Sequence, residues 1–200
     1  MQLAKIHLSS QQMKLVSNPE WILTKNAILQ HIQSAFGDLF AEQQQCISTV
    51  VLPEAIRKTG GKISKGENYL GLPWIVLDHP RFFTRTDIFA IRTMFWWGKC
   101  FSTTLHLSGQ WQQHFSEKLL AAFEILQKHD FRIAYQGHEW VHDVNDSSYL
   151  SLQQIKQEEF GRILKQASFV KIAACTAITN ANTATRILMN QFDILVSAIK

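Results

Sequence analysis

The stretch from Asp87 to Gly109, DIFAIRTMFWWGKCFSTTLHLSG, does most to decide what this chain can fold into. Two runs rich in β-branched and aromatic residues flank Gly98-Lys99, and such residues favour extended backbone. A glycine at the first central position suits a type II′ turn, so the pattern predicts a hairpin folded at Gly98-Lys99. With that turn Trp97 stands opposite Cys100, Phe95 opposite Ser102, Thr93 opposite Thr104 and Ile91 opposite His106, all on one face. The other face carries Ile88, Ala90, Arg92, Met94, Trp96, Phe101, Thr103, Leu105 and Leu107, nearly all apolar, with Arg92 its one charge. An apolar sheet face has to be covered by a second layer, and the rest of the chain must supply it.

The flanking segments have the periodicity for that layer. In SNPEWILTKNAILQHIQSAFGDLF, Asn18 can cap a helix that has Pro19 in its first turn. Trp21, Ile28, Ile32, Phe36 and Phe40 then recur at helical spacing and are expected to face the core. RKTGGKISKGENYLG, rich in glycine and lysine, reads as a connector into the sheet. YLGLPWIVLDHP reads as a strand that Pro73 pushes toward an edge position or a bulge and Pro80 ends. QHFSEKLLAAFEILQKHD is a crossover helix and FRIAYQ a further strand, which lets that strand run parallel to the one ending at Leu107. The remainder, from Ser151 onward, has helical period. The expected fold is therefore α+β in a single domain over residues 1–200: helical over 1–50, sheet plus crossover helix over 66–144, and helices over 148–200. The sheet is mixed or antiparallel with about four strands, in residues 69–107 and 131–142.

With 46% hydrophobic residues and only 18% charged, against roughly 25% in typical soluble domains, the chain has more apolar surface than it readily hides. A homodimer is the expectation. Cys46, Cys100 and Cys175 are odd in number and sit in apolar surroundings, which reads as reduced thiols in a reducing compartment. The opening MQLAKIHLSSQQMK lacks an apolar run of leader length and no stretch has the length of a membrane span, so a cytoplasmic location without membrane association is expected. The net charge of +4 admits an anionic partner, but the basic residues, among them Arg57, Lys58, Lys62, Lys65, Arg81 and Arg85, are dispersed. Nucleic-acid binding is accordingly a lesser alternative.

Residues 138–142, His-Glu-Trp-Val-His, match the H-E-x-x-H pattern of zinc-dependent proteases. In those sites a helix brings the two histidines onto one face so that both reach one ion. Here β-formers and Gly137 precede the motif and the turn-formers of DVNDSS follow it, so an extended or bulged strand is expected. On a strand His138 and His142 lie about 13 Å apart at roughly 3.3 Å per residue. A zinc-dependent hydrolase through His138, Glu139 and His142 is thus considered and not favoured, and no metal or cofactor is assigned. KTGGKISKGE lacks the glycine and hydroxyl positions of a phosphate loop. Arg92, placed on an apolar face, needs an ion-pair partner, with Asp87 and Glu139 the candidates. Asp78 and His79 are strand neighbours and point to opposite faces.

The remaining chemistry lies on the hairpin's mixed face, which has aromatic walls and a few placed polar groups, as ligand clefts do. The sequence thus nominates a small-molecule site with Thr93, Ser102, Thr104 and His106 as polar contacts and Phe95 and Trp97 as walls. The competing reading is an interaction or structural module that uses the same face for self-association.

Overall fold

The computed structural model describes residues 5–200, so Met1 to Ala4 of the opening stretch lie outside the described residues. In chain order the elements are α1 (Ser10–Val16), α2 (Glu20–Ser48), α3 (Glu54–Arg57), β1 (Lys62–Tyr69), β2 (Leu72–Phe83), β3 (Ile88–Trp96), β4 (Cys100–Ser108), α4 (Gln110–Ala121), α5 (Phe123–Lys128), β5 (Arg132–Ala134), β6 (Tyr149–Ser151), α6 (Gln157–Gln166), β7 (Phe169–Ala177) and α7 (Ala184–Ser197). The protein is α+β. Its sheet has seven strands in the order β1-β2-β3-β4-β7-β5-β6, every pairing antiparallel. The expectation of about four strands falls short because the glycine-rich connector is itself the edge strand β1. FVKIAACTA, read from the sequence as helical, is the long strand β7. A short apolar run without alternation fits a buried strand and a buried helix equally well. β5 does run in the direction of β4, as the crossover suggested, but β7 inserts between them.

The hairpin forms at the expected place with a different turn. Trp96 pairs with Cys100, so Trp97, Gly98 and Lys99 make a three-residue loop, closed by a 3.1 Å bond from the Lys99 N–H to the Trp96 carbonyl. Gly98 has φ +68°, at the third position of the turn from Trp96 to Lys99, where a left-handed backbone favours glycine. One extra loop residue shifts the register by one, and a one-residue shift moves one strand's side chains to the other face. Even-numbered residues of β3 thus share a face with even-numbered residues of β4, and odd with odd. β2 likewise continues past Pro80, through an irregularity between Asp78 and Arg81, to Phe83.

The odd face is the core. Phe89, Ile91, Leu105 and Leu107, with Val170 and Ile172 of β7, pack against Phe115, Leu119, Phe160, Phe192 and Leu195 from the helices. Ile75, Leu77, Phe95 and Phe101 pack against Leu29, Phe36 and Leu39 of α2 and Leu188 of α7. α2 begins at Glu20 with Pro19, not Asn18, at its N-cap position; the Asn18 side chain accepts the Glu20 N–H at 3.0 Å just ahead of it. The buried stripe of α2 is Leu29, Phe36, Leu39, Gln43 and Ile47. Of the face expected from the sequence, only Phe36 is fully buried; Trp21 and Ile28 are exposed, because the buried stripe of α2 starts at Leu29. On the even face two small apolar clusters form, Val76, Met94 and Trp96 and Ala134, Val144, Tyr149 and Ala173. Loop residues rather than a helix cover it.

Candidate functional site

Antiparallel partners share a face, so the register of six strands writes out what the even face presents. One row runs Asp78, Arg92, Thr104, Ala173 and Arg132. The next runs Ala90, His106, Lys171, Ala134 and Tyr149. Charged residues on central strands need partners on that face, and the rows supply them. Arg92 grips Asp78 in a fork, Nε to Oδ1 at 2.7 Å and Nη2 to Oδ2 at 2.8 Å. Neither expected partner takes this role: Asp87 instead accepts the Gln110 N–H at 2.8 Å and so caps α4, and Glu139 stands beside His106.

The segment from Tyr135 to Ser148 folds over the even face as an irregular loop, not the continued strand expected for 136–142. Gly137 adopts φ +75° and turns the chain out of β5. The loop carries His142 onto the sheet, where Arg92 Nη1 donates to its Nε2 at 3.0 Å. Its Nδ1 faces the amine of Lys171 at 3.4 Å, and Lys171 also donates to the Val141 carbonyl. Tyr69 holds the loop down by accepting the His142 N–H at 2.7 Å. His138 takes a separate course: its Nδ1 accepts the Trp140 N–H at 3.1 Å, and it borders a different surface hollow with Arg85 and Ser168. The two histidines of the H-E-x-x-H match therefore have different neighbours, and among the described residues no three His, Cys, Asp or Glu side chains gather as a metal would require.

Burial without matching negative charge sets the protonation of the cluster. Lys171 is 1% exposed; desolvation and then the nearby Arg92 pull it down to about 7, while Glu139 pulls the other way. Burial, with Lys171 and Arg92, pushes His142 to about 2 and His106 to about 3. Both imidazoles are neutral at ordinary pH. Glu139 Oε2 lies 3.3 Å from His106 Nε2, but out of hydrogen-bond alignment, so this buried nitrogen has no partner. The indole of Trp140 meets the His106 ring edge-on at 5.5 Å.

Between the loop and the sheet lies a cavity of about 430 Å³, walled by Tyr69, Trp74, Val76, Met94 and Trp140, with Asp78, Arg92 and His142 at its polar end. Trp74 is placed by the glycine opposite it. Gly66 pairs with Trp74 across β1 and β2, and a Cβ at Gly66 would come within 2.6 Å of the indole. A larger hollow of about 560 Å³ between α2 and β1 is lined by Asn26, Gln30, Gln33, Lys65 and Glu67 and has no comparable buried charge.

The residues nominated from the sequence divide by face. Ser102, Thr104 and His106 are on the even face, buried, in the same rows as Met94, Arg92 and Lys171. Thr93, Phe95 and Trp97 are not: Thr93 accepts a 3.2 Å bond from Gln43 of α2, and Phe95 and Trp97 pack in the core beneath α2 and α7. The three-residue turn is the cause. Lys171 went unnoticed because its strand read as a helix. Asp78 was set aside for lack of a dyad with His79, which does lie on the opposite face against Phe40. The legible signal was Arg92 itself: a charge on a β-rich strand, 14 residues after an aspartate on another. No family model, no curated protein and no solved structure matches the chain.

Proposed function

We propose that the protein binds a small, planar, partly apolar molecule in the cavity between the 135–148 loop and the even face of the sheet. One observation carries this reading: three aromatic walls, Tyr69, Trp74 and Trp140, converge on a desolvated Asp78–Arg92–His142 end in one 430 Å³ space. Ligand sites characteristically have that size, that apolar lining and a few fixed polar groups. Arg92 has five N–H donors, of which Asp78 takes two and His142 one. Two remain to orient a ligand oxygen. Ligand-observed NMR with a set of small aromatic acids, amides and phenols tests the reading. Saturable binding is expected, weakened about tenfold or more, about 1.4 kcal/mol, by Arg92→Met and by Gly66→Val, which drives Trp74 from its seat. Binding that neither substitution alters would place the site elsewhere.

A second reading, self-association, has its own observation. Met13, Leu15 and Val16 of α1 and Trp21, Ile22 and Leu23 of α2 are all exposed, a run of large apolar side chains in one stretch of the chain. The occupant that fits is a second copy of this chain, whose own apolar run offers the same chemistry in the two-fold arrangement most homodimers use. Of the basic residues named for nucleic-acid binding, Lys58 is paired with Glu54 at 2.7 Å, and Arg81 Nε donates to the Gly60 carbonyl at 3.0 Å.

A further inference from the structure

The chain Arg92–His142–Lys171 admits one arrangement of protons. A guanidinium in a protein stays charged and only donates, so His142 Nε2, 3.0 Å from Arg92 Nη1, must be the acceptor nitrogen of its ring. A neutral imidazole with an acceptor Nε2 carries its proton on Nδ1. That N–H points toward Lys171 Nζ, 3.4 Å away, and can be received only by an amine with a free lone pair. A neutral amine has both functions the site requires: its N–H donates to the Val141 carbonyl and its lone pair faces Nδ1–H. The charges facing Lys171 agree. They are Arg92 from β3, neutral His106 from β4, the un-ionised phenol of Tyr149 from β6, and Glu139 and neutral His142 from the loop. Asp78 is spent on Arg92. Lys171 is therefore a buried base, screened from the cavity by an imidazole that can carry a proton to it.

Resting on the cavity reading above, we propose that the ligand is a planar weak hydroxyl acid, a phenol or an enol, held as its anion, with the oxyanion on Arg92 and the proton passed through His142 to Lys171. The ligand O–H donates to His142 Nε2 in place of Arg92. The O–H bond breaks as Nε2–H forms, and Nδ1–H breaks as the third N–H of Lys171 forms. Arg92 Nη1–H and the new Nε2–H then both donate to the oxyanion, and the ammonium of Lys171 offsets its charge. A carboxylate that arrives already ionised brings no proton and leaves Lys171 neutral, without the counter-ion that the relay would create. A weak acid enters uncharged and creates its own counter-ion inside. The aromatic walls suit its plane.

The probe is 3-nitrophenol, whose anion alone is coloured. At pH 7.5, slightly above the value that leaves Lys171 neutral, stoichiometric protein is expected to raise the anion band to saturation at one probe per chain. In Lys171→Met the bound probe's ionisation curve moves up by at least one pH unit, a tenfold loss of anion at fixed pH; His142→Gln loses the band likewise. Binding of the probe is followed separately by ligand-observed NMR. Binding without the band, or a band unchanged in Lys171→Met, overturns the proton chain and leaves the cavity reading standing. No binding at all overturns the ligand class, and the broader aromatic set then decides the cavity reading. Long-range ¹H–¹⁵N spectra of the unliganded protein give an independent check that needs no variant to fold: His142 is expected to carry its proton on Nδ1, and a proton on Nε2 overturns the proposal.

Discussion

A buried histidine held neutral makes a protein sensitive to acid, and this chain has three. His79, His106 and His142 are pushed by burial to about 4, 3 and 2 from the ordinary 6.5. Below about 6.5 the unfolded chain binds protons at these positions that the folded chain refuses. Stability therefore falls as pH drops through that window toward the folded values, each group adding a slope of up to about 1.4 kcal/mol per pH unit. Urea unfolding between pH 7.5 and 5 should show this decline. His79 gives the cleanest test, since both ring nitrogens lack a partner: His79→Leu should flatten the decline and leave stability at pH 7.5 equal or higher. The Arg92–Asp78 fork makes a second residue-scale prediction. Asp78→Ala strands a desolvated guanidinium and should cost about 3–5 kcal/mol, whereas the double variant Asp78→Leu with Arg92→Met should recover most of it. Equal losses in single and double variants would show that the pair adds nothing beyond its packing.

At the scale of elements, the hairpin turn sets which side chains meet. Gly98 has open space around its Cα, so Gly98→Ala should cost only the left-handed backbone penalty, about 1–2 kcal/mol, with Gly98→Asn costing less; a neutral Gly98→Ala would contradict the three-residue turn. This element also marks how far the sequence could be read. The composition of 87–109 sufficed for two strands and a turn. The face assignment depended on whether the loop holds two residues or three, and Gly-Lys preceded by tryptophan fits both. That ambiguity of one residue put Ser102, Thr104 and His106 beside Thr93, Phe95 and Trp97 instead of beside Arg92 and Met94. β7 was hidden for a different reason: VKIAAC has no polar alternation because it lies in the sheet's interior, and only pairing with β4 and β5 separates it from a helix. The 135–148 loop was legible in its turn-formers, but its docking on Tyr69 and Arg92 depends on residues at least 50 positions away.

For the whole molecule, helices cover one face of a seven-stranded sheet and a single loop covers the other. Among the described residues no helix is long and apolar enough to cross a membrane. The exposed apolar residues of α1 and α2 yield a prediction for assembly: sedimentation should show a concentration-dependent dimer that Trp21→Glu with Leu23→Glu returns to monomer, and a monomer at every concentration would refute self-association. The thinner cover of the even face leaves the cavity between loop and sheet, the space in which we propose that the ligand sits. Crystallographic screening with small planar phenols, acids and amides tests it most directly. Density is expected between Trp74 and Trp140, with a polar atom within hydrogen-bond distance of Arg92. Fragments that settle at other sites while this cavity stays empty across the screen would contradict it.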